Sequence, residues 1–196
     1  MGIFLLTLII AYLIGAIPTG VLLTRTAGIG DIRQAGSGNI GATNVYRVGG
    51  RRLGLLTLIG DALKGALPVL YAITLAHFTP GQTALIAAAA FLGHCYPIYL
   101  GFKGGKGVAT ALGIYLILSP PAVLCALLAF AFILWKWRYV SLASISAAAV
   151  MPFLVLLFEV SVPLFAASLF ISSMVVFRHR ENIERLREGT ENKFRA

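Results

Sequence analysis

Residues 108–138 read VATALGIYLILSPPAVLCALLAFAFILWKWR, two apolar runs split by Ser119-Pro120-Pro121 and closed by Lys136 and Arg138. The fold turns on whether this is one kinked helix or two. A proline removes a helical hydrogen bond, and a Pro-Pro pair usually ends a helix, so the residues of the break allow either. Charge placement decides. Outward from here the other apolar runs are Ile3–Leu23, Leu53–Ala76, Thr83–Leu100, Leu142–Leu157 and Val162–Phe177. With seven crossings, one set of loops bears Arg25, Arg33, Arg47, Arg51, Arg52, Lys103, Lys106, Lys136, Arg138 and every base from Arg178 onward. The opposite set, around Phe78–Gln82, Ser119–Pro121 and Phe158–Ser161, has no Lys or Arg, and only Lys64 belongs to neither side. This is the asymmetry of the positive-inside rule, and merging the two runs would throw Lys136 and Arg138 to the base-free side. The sequence therefore predicts an all-α integral membrane protein of seven transmembrane helices, N-terminus outside and C-terminus cytoplasmic. The fourth and fifth are expected to be short and partly buried, because each run falls below the roughly 20 residues that cross about 30 Å of hydrocarbon.

Composition agrees with a membrane reading. Of 196 residues 59% are hydrophobic and 12% charged, and the mean hydropathy is +0.89, whereas about a quarter of a soluble domain is charged. A single membrane-embedded domain over residues 1–196 is expected. The net charge of +9 does not point to nucleic acid, which needs a water-facing basic surface with base-reading or stacking groups; it is read as topology plus an anionic substrate. Cys95 and Cys125 lie inside apolar runs, where a thiol is an ordinary packing residue. No CxxC, HExxH or paired-His spacing calls for a metal, and no cofactor is expected. The run Ile3–Leu23 has neither a basic stretch before it nor an A-x-A-like site after it, so an uncleaved helix is expected.

Four segments gather the unusual polar residues. In Ala35–Arg47, Gly36, Gly38 and Gly41 let the backbone approach a ligand. Ser37 is placed to cap a short helix on which Asn44 and Arg47 share a face, with Asn39 and Thr43 beside them; the alternative is a polar re-entrant turn. In Gly101–Gly107, closely spaced Gly104, Gly105 and Gly107, with Lys103, Lys106 and the start of the next helix, make a phosphate cradle in chemical terms. It is not a Walker A loop, since Leu100 and Gly107 stand where Gly and Ser or Thr would be needed. A basic loop meeting anionic headgroups explains the lysines but not the glycines. In Phe177–Leu186 the seventh helix is expected to continue past the membrane face, with His179 and Asn182 on one side, or else to be a solvated, ion-paired helix end. Asp61 and Lys64 lie nine residues and more past Arg52, roughly 13 Å deep at 1.5 Å per residue. They are read as a pair that supports the bundle ahead of a chemical role. His77 and His94 are read as packing residues, and Trp135, Trp137 and Tyr139 as an interfacial anchor around Lys136 and Arg138.

Together, Ser37-Gly38-Asn39-Ile40-Gly41-Ala42-Thr43-Asn44 with Arg47, Gly104-Gly105-Lys106-Gly107-Val108-Ala109-Thr110, and His179 with Asn182 and Glu191 resemble the bacterial acyl-phosphate:glycerol-3-phosphate acyltransferases, the PlsY family. The resemblance covers essentially the whole chain. It implies an enzyme of the bacterial cytoplasmic (inner) membrane, working on its cytoplasmic face. Such an enzyme moves a fatty acyl group from acyl phosphate to the 1-hydroxyl of glycerol 3-phosphate, giving 1-acylglycerol 3-phosphate and phosphate, the first acylation of phospholipid synthesis. It implies Ser37, Arg47, Lys106, His179 and Asn182 as catalytic, and Asn39, Thr43, Asn44, Gly104, Gly105, Gly107 and Ser141 as substrate-binding. The donor is already activated, so orienting the hydroxyl and neutralising charge suffice. For the hydroxyl proton the order of preference is a phosphate oxygen of the donor, then His179 as general base; third comes Ser37 as nucleophile. The His-x4-Asp pair of other glycerolipid acyltransferases is absent, Glu184 standing five residues after His179.

The rival class is a transporter or lipid-binding module, which would line the midplane with polar residues and carry an internal repeat; here the polar residues gather at one face and no repeat is visible. The base-free loops make orientation testable. A cysteine at Gly81 should react with an impermeant external thiol reagent in intact cells and one at Lys193 should not, whereas labelling at 193 alone would reverse the topology.

Overall fold

The computed structural model describes residues 1–194, in two compact units, Met1–Leu118 and the chain from Ser119 on. In the first unit α1 (Gly2–Gly15) and α2 (Thr19–Thr26) are bent by 42°. The run 3–23 is therefore not one unbroken helix. Pro18, which lacks an N–H and disfavours helix at Ile17, forms the break as the N-cap of α2. After a turn at Ile32–Gln34 comes α3 (Ala42–Thr74), interrupted at Gly50, whose φ of 83° only glycine adopts freely, so that a short helix precedes the long span. The start of α4 (Pro80–Cys95) carries a capping box of Thr79 and Gln82, with Pro80 at the first helical position. A turn at Ile98–Leu100 and the glycine loop lead to α5 (Val108–Leu118).

Within this unit α3 packs against α5 and α4, and α1 against α4. The approach is as close as backbones allow. A methyl on Gly113 would overlap the carbonyl of Ala62, and one on Gly15 the carbonyl of Ala90, the small-residue packing that holds helices together when lipid removes the hydrophobic drive between them.

The second unit holds α6 (Pro120–Trp137), α7 (Val140–Glu159), α8 (Val162–Arg178) and α9 (Arg180–Arg187). Here α7 is central, packed on α6 and α8 through a stripe of small residues that includes Ala143, Ser144, Ala167, Ser168 and Ser172. The outward side chains are apolar: Leu128 and Phe153 are each 72% exposed, a surface that suits hydrocarbon and not water.

The expected shortness holds for α5, with 11 residues and a largely buried face of Thr110, Ala111, Gly113, Ile114, Tyr115 and Leu118. It fails for α6. That helix has 18 residues, is long and apolar enough to cross a membrane, and buries little of its surface. The apolar run undercounts it because Pro120 and Pro121 serve as its first turn, where a missing N–H costs nothing, and Lys136 and Trp137 extend its end. Four helices are long enough to span, and six spans result if the α1/α2 and α8/α9 pairs each count as one. The chain is an all-helical, multi-pass membrane protein.

Candidate active site

In the first unit one buried side chain orders the first polar segment. Asn44 is 2% exposed; its Nδ2 donates to the carbonyls of Asn39 (2.8 Å), Ala35 (3.0 Å) and Ile32 (3.3 Å), and its Oδ1 accepts from the N–H of Ser37 at 2.8 Å. Gly36, with φ +61°, passes so close that a Cβ would overlap Asn44 Oδ1. Asn39 Oδ1 in turn accepts from the Gly41 N–H at 2.9 Å. Ser37 therefore does not cap the helix; the N-cap of α3 is Gly41, without a side-chain cap, because Asn44 holds Ser37 out on the loop. The Ser37 and Arg47 side chains are exposed and Thr43 is half-buried. Asp31 fixes the other end of the loop, accepting from Arg33 Nη2 at 2.6 Å and Arg25 Nη2 at 3.2 Å. The hydrogen bonds from Arg33, then that from Arg25, hold its carboxyl well below the usual carboxylate range against its desolvation.

The glycine loop lies against the end of α4. The Gly105 N–H donates to the His94 carbonyl at 3.2 Å. A Cβ on Gly104 would overlap that carbonyl, one on Gly105 the His94 ring, and one on Gly107 the Phe91 ring. Close packing is thus a second demand on these glycines, beside the phosphate access expected from the sequence. Lys106 is half-buried among them. Leu100, just ahead of this loop, packs on the cluster of Val21, Ile32, Ile40 and Val45 that also supports the Ser37 loop, so the two segments share one apolar footing.

Beneath lies a buried polar cluster. Asp61, Lys64 and His94 are 2%, 4% and 3% exposed. Lys64 Nζ is 2.8 Å from Asp61 Oδ1 and donates to the Ile17 carbonyl at 2.8 Å, while His94 Nδ1 is 3.8 Å from Asp61 Oδ1. Thr19 adds a side-chain hydrogen bond to Asp61. The expected i, i+3 pair is present and has two further members.

In the second unit the tail is bent, not continued: α8 and α9 meet at 54° around His179. His179 is 3% exposed and its Nδ1 donates to the Val175 carbonyl at 2.7 Å, which commits that nitrogen and leaves Nε2 as the one that could take a proton. Glu191 is the hub. Its Oε1 accepts from Ser141 Oγ and Asn182 Nδ2, both at 2.7 Å, and its Oε2 from Arg185 Nε at 2.8 Å. Burial pushes the Glu191 carboxyl up, but the bonds from Arg185, Ser141 and Asn182 outweigh it and hold the group below its ordinary value. Arg185 stands outside the motifs read from the sequence; its signal is the six-residue spacing to Glu191 across Gly189, which turns the chain back at φ +73°.

A family model described as "Glycerol-3-phosphate acyltransferase" matches residues 5–189. The chain is 64% identical over 193 residues to a glycerol-3-phosphate acyltransferase of Syntrophotalea carbinolica, covering 98% of each chain. It is 57% identical to one of Geobacter sulfurreducens, covering 95% of each. Among solved structures it resembles PlsY, described as an integral membrane glycerol 3-phosphate acyltransferase, at 40% identity. The glycerol 3-phosphate form matches with a TM-score of 0.93 over 98% of this chain and 96% of that one. The lysophosphatidic acid form matches with 0.90 over 98% and 95%.

The Glu191 hub carries a pH signature. A carboxylate whose folded pKa lies below its unfolded one stabilises the fold above the unfolded value, and the gain is lost as pH falls through the folded value. Glu191→Gln should therefore cost about 1–3 kcal/mol near neutral pH, read as a lower thermal midpoint or faster tail proteolysis. The gap from the wild type should close below the ordinary carboxylate pKa; an equal gap on both sides would show that the charge is not what binds the tail.

Proposed function

The chain belongs to the glycerol-3-phosphate acyltransferase family, and from that membership we propose which residues carry the reaction. The protein is an acyltransferase that acylates glycerol 3-phosphate to lysophosphatidic acid. The donor is read as acyl phosphate, the orientation as seven crossings with the polar segments cytoplasmic, the location as the inner membrane, and residues 1–196 as one acyltransferase domain.

The observation that carries the assignment is the shared footing of the two loops of the first unit: Ile32, Ile40 and Val45 under one, Leu100 ahead of the other. It supports reading Lys106 and Arg47 as the cations for the glycerol 3-phosphate phosphate. Ser37, Asn39 and Thr43 bond its hydroxyls, with Gly104, Gly105 and Gly107 giving the backbone access that a phosphate needs. Asn44 acts by holding that loop in shape, since its amide is spent on four backbone groups. His179 and Asn182 are read as the catalytic residues of the second unit, Asn182 being set by Glu191 together with Ser141.

The glycerol 1-oxygen attacks the acyl carbonyl carbon, the bond from that carbon to the phosphate oxygen breaks, and inorganic phosphate leaves with its electrons. A phosphate oxygen of the donor takes the hydroxyl proton. Ser37 Oγ has no carboxylate or imidazole bonded to it among the described residues, which suits a hydrogen-bonding role better than that of an activated nucleophile.

Lys106→Ala should cut turnover at limiting glycerol 3-phosphate about 100-fold or more, a charge-assisted contact in a partly dry site being worth roughly 2–5 kcal/mol. Arg51→Ala, at an exposed base just past the Gly50 break, should cost less than about fivefold. Both are judged after expression and helix content are matched. Equal activity of the two variants would make the glycine loop a basic surface loop.

A further inference from the structure

We propose that His94 is a positioning residue for the glycine loop, its ring forming the floor on which Gly105 lies and Asp61 fixing that ring from below. The proposal rests on the reading that Lys106 holds a substrate phosphate, and it adds what holds Lys106 in place. The ring is 3% exposed and touches different partners on its two sides. Nδ1 lies 3.8 Å from Asp61 Oδ1; toward the loop, a Cβ on Gly105 would overlap Nε2 and come within 2.9 Å of Cε1. The His94 carbonyl adds a bond from the Gly105 N–H at 3.2 Å. Side chain and backbone of one residue thus set both the height and the path of the chain immediately before Lys106.

Asp61 is itself immobilised, by Lys64 at 2.8 Å and Thr19, and Lys64 is bound to the Ile17 carbonyl at 2.8 Å. The chain of contacts therefore runs from the α1/α2 break through α3 to α4 and ends on the loop. The ring is packed between the Asp61 carboxylate and the loop backbone, in the place of the outer partners that support a functional group from behind. At Gly105 any side chain would displace either the ring or the loop, which explains why a glycine stands beside the cation.

A misplaced Lys106 loses ground-state grip on phosphate, so the effect should fall on KM more than on kcat. His94→Gln keeps a polar group beside Asp61 but loses the rigid floor, and Gly105→Ala presses a methyl against the same ring from the other side. In purified protein in lipid, matched in helix content, each should raise the KM for glycerol 3-phosphate about tenfold, with kcat within about threefold. Because both changes break one contact, the double variant should be no worse than the weaker single, whereas independent effects would multiply. Lys106→Ala is run alongside. If it raises KM while both singles stay within about twofold of the wild type, or if the double variant shows the full product of the singles, the positioning role is wrong and the phosphate site stands. If Lys106→Ala leaves KM unchanged, the phosphate reading itself fails and this inference with it. Should His94→Gln not fold, Gly105→Ala decides by the same KM criterion.

Discussion

A carboxylate buried on a membrane-spanning helix has to be answered by charge and hydrogen bonds, because hydrocarbon solvates neither. Asp61 is answered by Lys64 and Thr19, and Lys64 by the Ile17 carbonyl, with His94 Nδ1 of α4 packed 3.8 Å from Asp61 Oδ1. These partners join α3 to the α1/α2 break, so satisfying one buried charge ties those elements together in the first unit. The glycine contacts between α3 and α5 and between α1 and α4 then close the remaining distance. Above this cluster stand the two polar loops, which inherit their rigidity from it and from the apolar group of Val21, Ile32, Ile40 and Val45.

The same logic recurs at the edges of the membrane, where a few polar side chains are spent on structure so that others are presented. Asn44 gives its whole amide to the backbone of residues 32–39 and thereby sets Ser37 outward. Glu191 gives both oxygens to Ser141, Asn182 and Arg185 and so returns the tail to α7 and α9. Such fixed polar frames suit the proposed transfer from an activated donor, where orientation and charge neutralisation carry most of the rate.

Much of this was legible in the sequence where period and spacing are local. The apolar runs located the helices, and the i, i+3 spacing of Asp61 and Lys64 paired them. The polar segments stood out because Ser, Asn, Lys and His are costly beside lipid. What stayed hidden depended on tertiary contact. Asn44 looks the same on paper whether it binds a substrate or a loop. The glycines of residues 104–107 read as ligand access, and their packing on His94 and Phe91 has no signal in the sequence. His94 lies 33 residues from Asp61, so no spacing rule joins them. The length of α6 was misjudged because hydropathy stops at Ala122 and Trp135, while the helix uses Pro120 and Trp137 as its ends.

Direct transfer is the proposed chemistry: the glycerol oxygen would take the acyl group from acyl phosphate with no acyl-enzyme between them. The most direct measurement follows inorganic phosphate and acylglycerol 3-phosphate together, using purified protein in lipid supplied with acyl phosphate. Phosphate release should require glycerol 3-phosphate and match the acylated product one for one. Steady phosphate release without glycerol 3-phosphate, or equal product formation when acyl-CoA replaces acyl phosphate, would contradict it.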